Sequence, residues 1–138
     1  MSVIIVGAGI SGLSTAWALT KRGVSVTLVE QGPIPNPLSA SGDQHRIIRR
    51  AYGGHGGYQR RIGDAYAAWD EMWADIGQKH LVETGFLLLS QVEGDGGDEY
   101  RTGLIDGGYP FDDMSATETA ARFPFIDADT IRWGAYSD

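Results

Sequence analysis

Between Met1 and Glu30 the apolar positions fall into three regular blocks. Val3, Ile4, Ile5 and Val6 form a short run of mostly β-branched residues, which predicts a strand buried on both faces. From Ile10 to Lys21, Leu13, Ala16, Trp17 and Leu19 or Thr20 recur at helical spacing, and Gly23 follows the basic pair Lys21 and Arg22 as a helix stop. Val24 to Val29 returns to a strand pattern that ends at Glu30. Strand, glycine turn, helix and strand, with a crossover long enough for parallel pairing, make one βαβ unit.

Beyond Glu30 the periodicity stops. QGPIPNPLSASGDQ carries three prolines and two glycines and reads as a long functional loop. HRIIRRAYGGHGGY mixes basic and aromatic residues, then dissolves into glycines, and predicts a short turn or helix followed by a bend. From Tyr58 the set Ile62, Ala65 or Tyr66, Trp69, Met72 or Trp73 and Ile76 marks a long amphipathic helix ending near Gly77. A strand around FLLLS within Leu81–Ser90, an acidic glycine turn over Glu93–Asp98 and a short helix over Glu99–Asp106 follow. Pro110–Met114 is a further strand candidate. Ser115 and Glu118 have the spacing of a capping box before ATETAARF, and Pro124 stops that helix. The final IRWGAYSD starts a strand with no partner in view.

Composition narrows the function more than the fold. The 138 residues suffice for one compact domain but are short for an enzyme holding a large cofactor and a substrate. A formal charge of −7 argues against a general nucleic-acid surface, only His45–Arg50 being locally basic. With no cysteine there is no disulfide, thiolate metal site or sulfur-linked flavin within the chain, and no metal site is expected. The opening MSVIIVGAGISG passes from a short apolar run straight into glycines, so a membrane segment is not expected and cytoplasmic residence is.

GAGISG is a G-x-G-x-x-G turn lying between strand and helix, with an acid closing the second strand. Gly7 allows the tight turn, Gly9 lets backbone approach a pyrophosphate, and Gly12 lets the helix pack close to the strand. Glu30 would accept hydrogen bonds from ribose hydroxyls and repel a ribose phosphate, which disfavours NADP. FAD and NAD share this unit. After Glu30 a nicotinamide domain would continue with a helix and a third strand, whereas a proline-rich loop follows, so FAD is the better choice.

GAGISGLSTAWALTKRGVSVTLVE, followed by SASGDQHRIIRRAYG and later by ETGFLLLS and ARFPFI, resembles the D-amino-acid oxidase superfamily, within it the monomeric sarcosine oxidase-like branch. The similarity runs over nearly the whole chain, and GD-x-x-RIIR-x-AYG is its narrowest motif. The resemblance implies an α/β fold: a Rossmann-like FAD-binding βαβ unit, with residues 1–50 the amino-terminal part of the FAD domain. Residues 51–138 would be a helical segment and the incomplete beginning of an α+β substrate domain. It implies oxidation of a small amine or amino acid by hydride transfer to FAD, leaving an imine that water hydrolyses, with oxygen or another acceptor reoxidising the flavin. Residue by residue, it implies that Gly7, Gly9, Ser11 and Gly12 hold the pyrophosphate and that Glu30 and Gln31 meet the adenosine. Ser39 and Ser41 would lie along the cofactor and Arg46 beside the flavin ring. Arg49 would bind the substrate carboxylate, a task suited to a planar guanidinium fork. His45 and Tyr52 are active-site neighbours by the same match.

These arginines could form a solvated basic turn or ion pairs with Asp43 and Asp64, the reading favoured for Arg50. His55 and His80 stand outside any ligand spacing and read as surface residues, and Trp69 with Trp73 reads as core. A family histidine just before the Gly-Asp pair has no clear counterpart here, and the chain stops where family members continue. It is therefore expected to be an amino-terminal fragment, inactive alone and in need of a carboxy-terminal complementing chain. A non-catalytic dinucleotide-binding module partnering a second chain, and an NAD-binding dehydrogenase, are the competing readings.

Overall fold

A computed structural model of the chain describes residues 1–42, 44–53 and 56–138. They pack as two compact units, Met1–Ile48 and Arg49–Asp138.

The first unit is the βαβ element. Strand β1 (Ser2–Val6) pairs in parallel with β2 (Ser25–Val29), Ser2 opposite Ser25 and Val6 opposite Val29, and helix α1 (Ile10–Lys21) makes the crossover. The helix ends as its sequence requires: Gly23 takes φ 74° and the Arg22 and Val24 amides return to the Leu19 carbonyl at 3.0 Å. The expectation that the first strand is buried on both faces is corrected. A strand's side chains alternate between faces, and α1 lies on the face that carries Ile5. The opposite face leaves Ile4 71%, Val6 85% and Val29 44% exposed. Among the described residues between Glu30 and Gly53 there is neither helix nor strand, so HRIIRR forms no helical turn; a turn at Asn36–Gly42 is closed by the Ser39 amide on Asn36 O and the Gly42 amide on Ser39 O.

The second unit opens with helix α2 (Gly56–Ile76), then β3 (Phe86–Ser90), α3 (Gly96–Asp106), β4 (Asp112–Ser115), α4 (Ala116–Arg122), a 3₁₀ turn at Ala128–Thr130, and β5 (Trp133–Ser137). Its sheet is antiparallel in the order β3-β5-β4, with Ser90 opposite Trp133, Leu88 opposite Ala135 and Met114 opposite Gly134. The strand expected to lack a partner is thus the central one. Leu88, Leu104, Met114 and Ala135 are buried in this unit, as are Thr119 and Ser90. Arg101 forks onto Asp113 and Arg122 reaches Asp112, tying α3 and α4 to β4.

Two helix starts show how local chemistry sets boundaries. Helix α3 begins three residues earlier than its sequence pattern suggested, because the Asp95 carboxylate accepts from the Gly97 and Asp98 amides and makes a helix turn of what reads as a glycine loop. Helix α4 has the expected capping box: Ser115 Oγ accepts from the Glu118 amide and Glu118 accepts from the Ser115 amide.

Candidate functional site

The glycine turn joins the carboxyl end of β1 to the start of α1. Gly7 has φ 100°, a conformation open to glycine, and its amide donates to Val29 O at 2.8 Å. A Cβ on Gly12 would lie 1.9 Å from Gly7 O, so the close approach of helix to turn requires glycine. Gly9 differs. It has φ −72°, and a Cβ there would meet nothing within 4 Å. The fold therefore places no demand for glycine at position 9, and the space beside it is open. Gly9 caps α1 with no side-chain hydrogen bond, and the first helical amide to reach a carbonyl is that of Leu13, on Gly9 O at 2.9 Å. The preceding first-turn amides, with the positive end of the helix dipole, suit an anionic oxygen.

Glu30, at the end of β2, faces the same turn. Its carboxylate accepts from the Ala8 amide at 2.7 Å, the Gly32 amide at 3.0 Å and the Gln31 amide at 2.9 Å. These bonds, Ala8's foremost, hold its carboxyl below the ordinary carboxylate range against a smaller opposing effect of burial. A carboxylate offers about four acceptor positions, so an acceptor remains for a ribose hydroxyl. A concavity of about 450 Å³ is lined by Val6, Gly7, Val29, Glu30 and Gln31. A pyrophosphate at the helix start and an adenosine over the strand ends fit this arrangement: open space at Gly9, unmatched amides, an ionised acid and an apolar floor.

The other residues singled out in the first unit lie on α1 and on the loop after β2. Ser11 is exposed in the first turn of α1, Gln31 and Ser41 are exposed, and Ser39 is half-buried. Arg46 is exposed, and its guanidinium donates at 2.8 Å to Ala40 O and to His45 O, bracing the loop that carries both serines. His45 is exposed.

Arg49 and Arg50 pack with the second unit. Arg49 is half-buried; its guanidinium carbon lies 4.8 Å from the centre of the Tyr100 ring, 5.3 Å from Tyr52 and 5.8 Å from Phe86. Arg50 corrects the expectation of a solvated side chain: it is half-buried, 4.1 Å from the Tyr66 ring and 5.2 Å from Tyr109, while an ion pair with Asp43 falls outside the described residues. Among the described residues neither arginine pairs with Asp64. Tyr66 in turn has its hydroxyl pKa pushed up, chiefly by burial. The Trp69 and Trp73 rings stack at 5.5 Å, with Trp73 buried, and His80 is exposed. Asp43 and His55 lie outside the described residues. Sequence reasoning missed Tyr100 and Gln59, whose side chains meet the Arg49–Tyr52 segment; nothing in their local pattern distinguishes them from ordinary helix residues. Among the described residues no three His, Asp or Glu side chains gather as a metal site, and no helix is long and apolar enough to cross a membrane.

Comparison with known proteins agrees with this geometry. The family model described as FAD dependent oxidoreductase matches residues 2–138. The chain is 33% identical over 123 residues to the peroxisomal sarcosine oxidase of Mus musculus, covering 89% of this chain and 31% of that protein. It is 34% identical over 92 residues to the monomeric sarcosine oxidase of Bacillus sp. (strain NS-129), covering 67% and 24%. Among solved structures, NikD, an amino acid oxidase of nikkomycin biosynthesis, superposes with TM-score 0.75 at 21% identity, over 99% of this chain and 38% of that one. L-proline dehydrogenase from P. horikoshii gives 0.74 at 20%, over 99% and 36%. The chain thus spans about a third of the length of these relatives. A dinucleotide turn whose second glycine faces open space, an acid at the end of the second strand and a family match across the chain lead to one conclusion: the chain belongs to the FAD dependent oxidoreductase family.

Proposed function

We propose that this chain carries the pyrophosphate and adenosine contacts and the substrate carboxylate contact of an FAD-dependent oxidase acting on a small amine or amino acid, sarcosine oxidase-like in its chemistry. The observation that carries the cofactor half is Gly9, a glycine that no neighbour in the fold requires, set at a helix start opposite Glu30. FAD, when bound, supplies the acceptor for the two electrons of the carbon–hydrogen bond beside the amine. The chain's own residues do the rest. Gly7, Gly9, Ser11 and Gly12 hold the pyrophosphate, Glu30 and Gln31 the adenosine, and Ser39, Ser41 and Arg46 line the cofactor, with Arg46 at its ring. Arg49 orients the substrate by its carboxylate, with His45 and Tyr52 as further active-site residues, and oxygen or another acceptor takes the electrons onward.

Residues 1–50 then form the first part of an FAD domain, and 51–138 the start of a substrate domain. The exposed sheet face of Ile4, Val6 and Val29, together with the coverage of about a third of the relatives, supports a remaining portion that completes the site, in the same or a complementing chain. The 138 residues alone then do not turn over. The sequence favours a cytoplasmic setting, whereas the mouse relative is named peroxisomal. Calorimetric titration of the purified chain is the test. FAD binding preferred over NAD and NADP, and lost in Gly9→Val, supports the reading; preferred NAD binding, or unchanged FAD affinity in the variant, removes it.

A further inference from the structure

Among the described residues Arg49 is held by rings and not by a counter-ion. No carboxylate among them pairs with its guanidinium, which instead has three rings around it: Tyr52 three residues on, Phe86 on β3 and Tyr100 on α3. Of these, only Tyr100 contributes both a ring, 4.8 Å from the guanidinium carbon, and an acceptor, its hydroxyl receiving Arg49 Nη2–H at 3.3 Å. Helix α3 is also placed to fix the backbone that carries Arg49. Gly103, one turn after Tyr100 on the same face, brings the helix so close that a Cβ would lie 3.1 Å from Tyr52 O and 3.2 Å from Gly53 N. Beside Gly103, the buried Gln59 side chain accepts from the Tyr52 amide at 2.9 Å.

A phenol hydroxyl accepts a hydrogen bond while bringing no charge. An aspartate or glutamate in its place would orient the guanidinium equally well but neutralise it and compete with an incoming carboxylate. We propose that Tyr100 is a positioning residue for Arg49: its hydroxyl and ring fix the guanidinium while leaving its charge and remaining N–H donors available to the substrate carboxylate. The carboxylate half of this inference rests on the role proposed above for Arg49.

The test uses the full 138-residue chain with isotope-labelled arginine, the Arg49 side-chain resonances being identified by their loss in Arg49→Lys. In the unmodified chain, Arg49 should show hindered guanidinium rotation and ring-current shifts. Tyr100→Phe keeps the ring and should speed the rotation; Tyr100→Leu should also abolish the ring-current shift, with backbone amide spectra showing that the fold persists. Should the leucine variant fail to fold, the phenylalanine variant decides. Titration with sodium acetate, against sodium chloride at equal ionic strength, should move the Arg49 signals with an affinity that falls about three- to tenfold in Tyr100→Phe, the loss of one hydrogen bond. Arg49 signals unchanged in Tyr100→Phe overturn the positioning role, even if acetate still binds. Signals that respond to Tyr100 but never to acetate leave the anchoring intact and remove the carboxylate role of Arg49.

Discussion

Gly9 and Gly12 share a residue type for unrelated reasons. Gly12→Ala forces a methyl group to 1.9 Å from a carbonyl oxygen of the turn, so either helix or turn must move. Overpacking of this kind costs about 1–3 kcal/mol, and a thermal melt should show a lowered midpoint. Gly9→Ala places its methyl in open space at φ −72°, ψ 178°, a conformation alanine accepts. Stability should be unchanged or higher by about 0.4–1 kcal/mol, because the unfolded chain loses freedom. FAD affinity should nonetheless fall in the same variant. Opposite responses in melt and titration are the expected signature; a Gly9→Ala protein that unfolds early would show that position 9 serves the fold.

At the scale of elements, the Asp95 cap of α3 makes stability depend on acidity. The Gln91 amide foremost, with the Val92 and Asp98 amides and the Ser90 hydroxyl, holds its carboxyl at about 2 against an ordinary 3.8. A depressed carboxyl stabilises the fold above its unfolded value, and the contribution disappears as pH falls through the folded one. Chemical denaturation should therefore show stability decreasing from pH 3.8 towards about 2, with a flatter profile in Asp95→Asn, which keeps a capping oxygen but does not titrate. Equal slopes for both proteins would assign the acid sensitivity to other groups.

The same element shows where sequence reading stops. Helix α1 was legible to its ends because its turn glycines, periodicity and stop all lie within the segment. The start of α3 was not, since Gly96 and Gly97 weigh against a helix and only the Asp95 bonds outweigh them. The partners of β5 were invisible for a different reason: register with β3 and β4 is a long-range property that no local pattern encodes. At the site, the glycine turn and Glu30 could be read because spacing alone defines them. The rings around Arg49 and Arg50 could not, because they come from segments remote in sequence.

For the whole molecule, the exposed Ile4, Val6 and Val29 face has a measurable consequence. An apolar sheet face rimmed by an open strand edge favours association, so the purified chain should bind a hydrophobic dye and elute larger than a monomer. Ile4→Thr with Val6→Thr should reduce both without altering β1–β2 pairing, and a strictly monomeric parent chain that ignores the dye would refute the idea. The second unit has a different vulnerability, set by the order in which its parts are made. β5 stands between β3 and β4, yet both are complete well before Trp133 is added. During synthesis the two outer strands must wait with bare edges, prey to proteases and to one another's copies, until a five-residue segment arrives to separate and join them. A stop codon just ahead of Trp133 leaves β3 and β4 with no strand between them, and the second unit without its sheet.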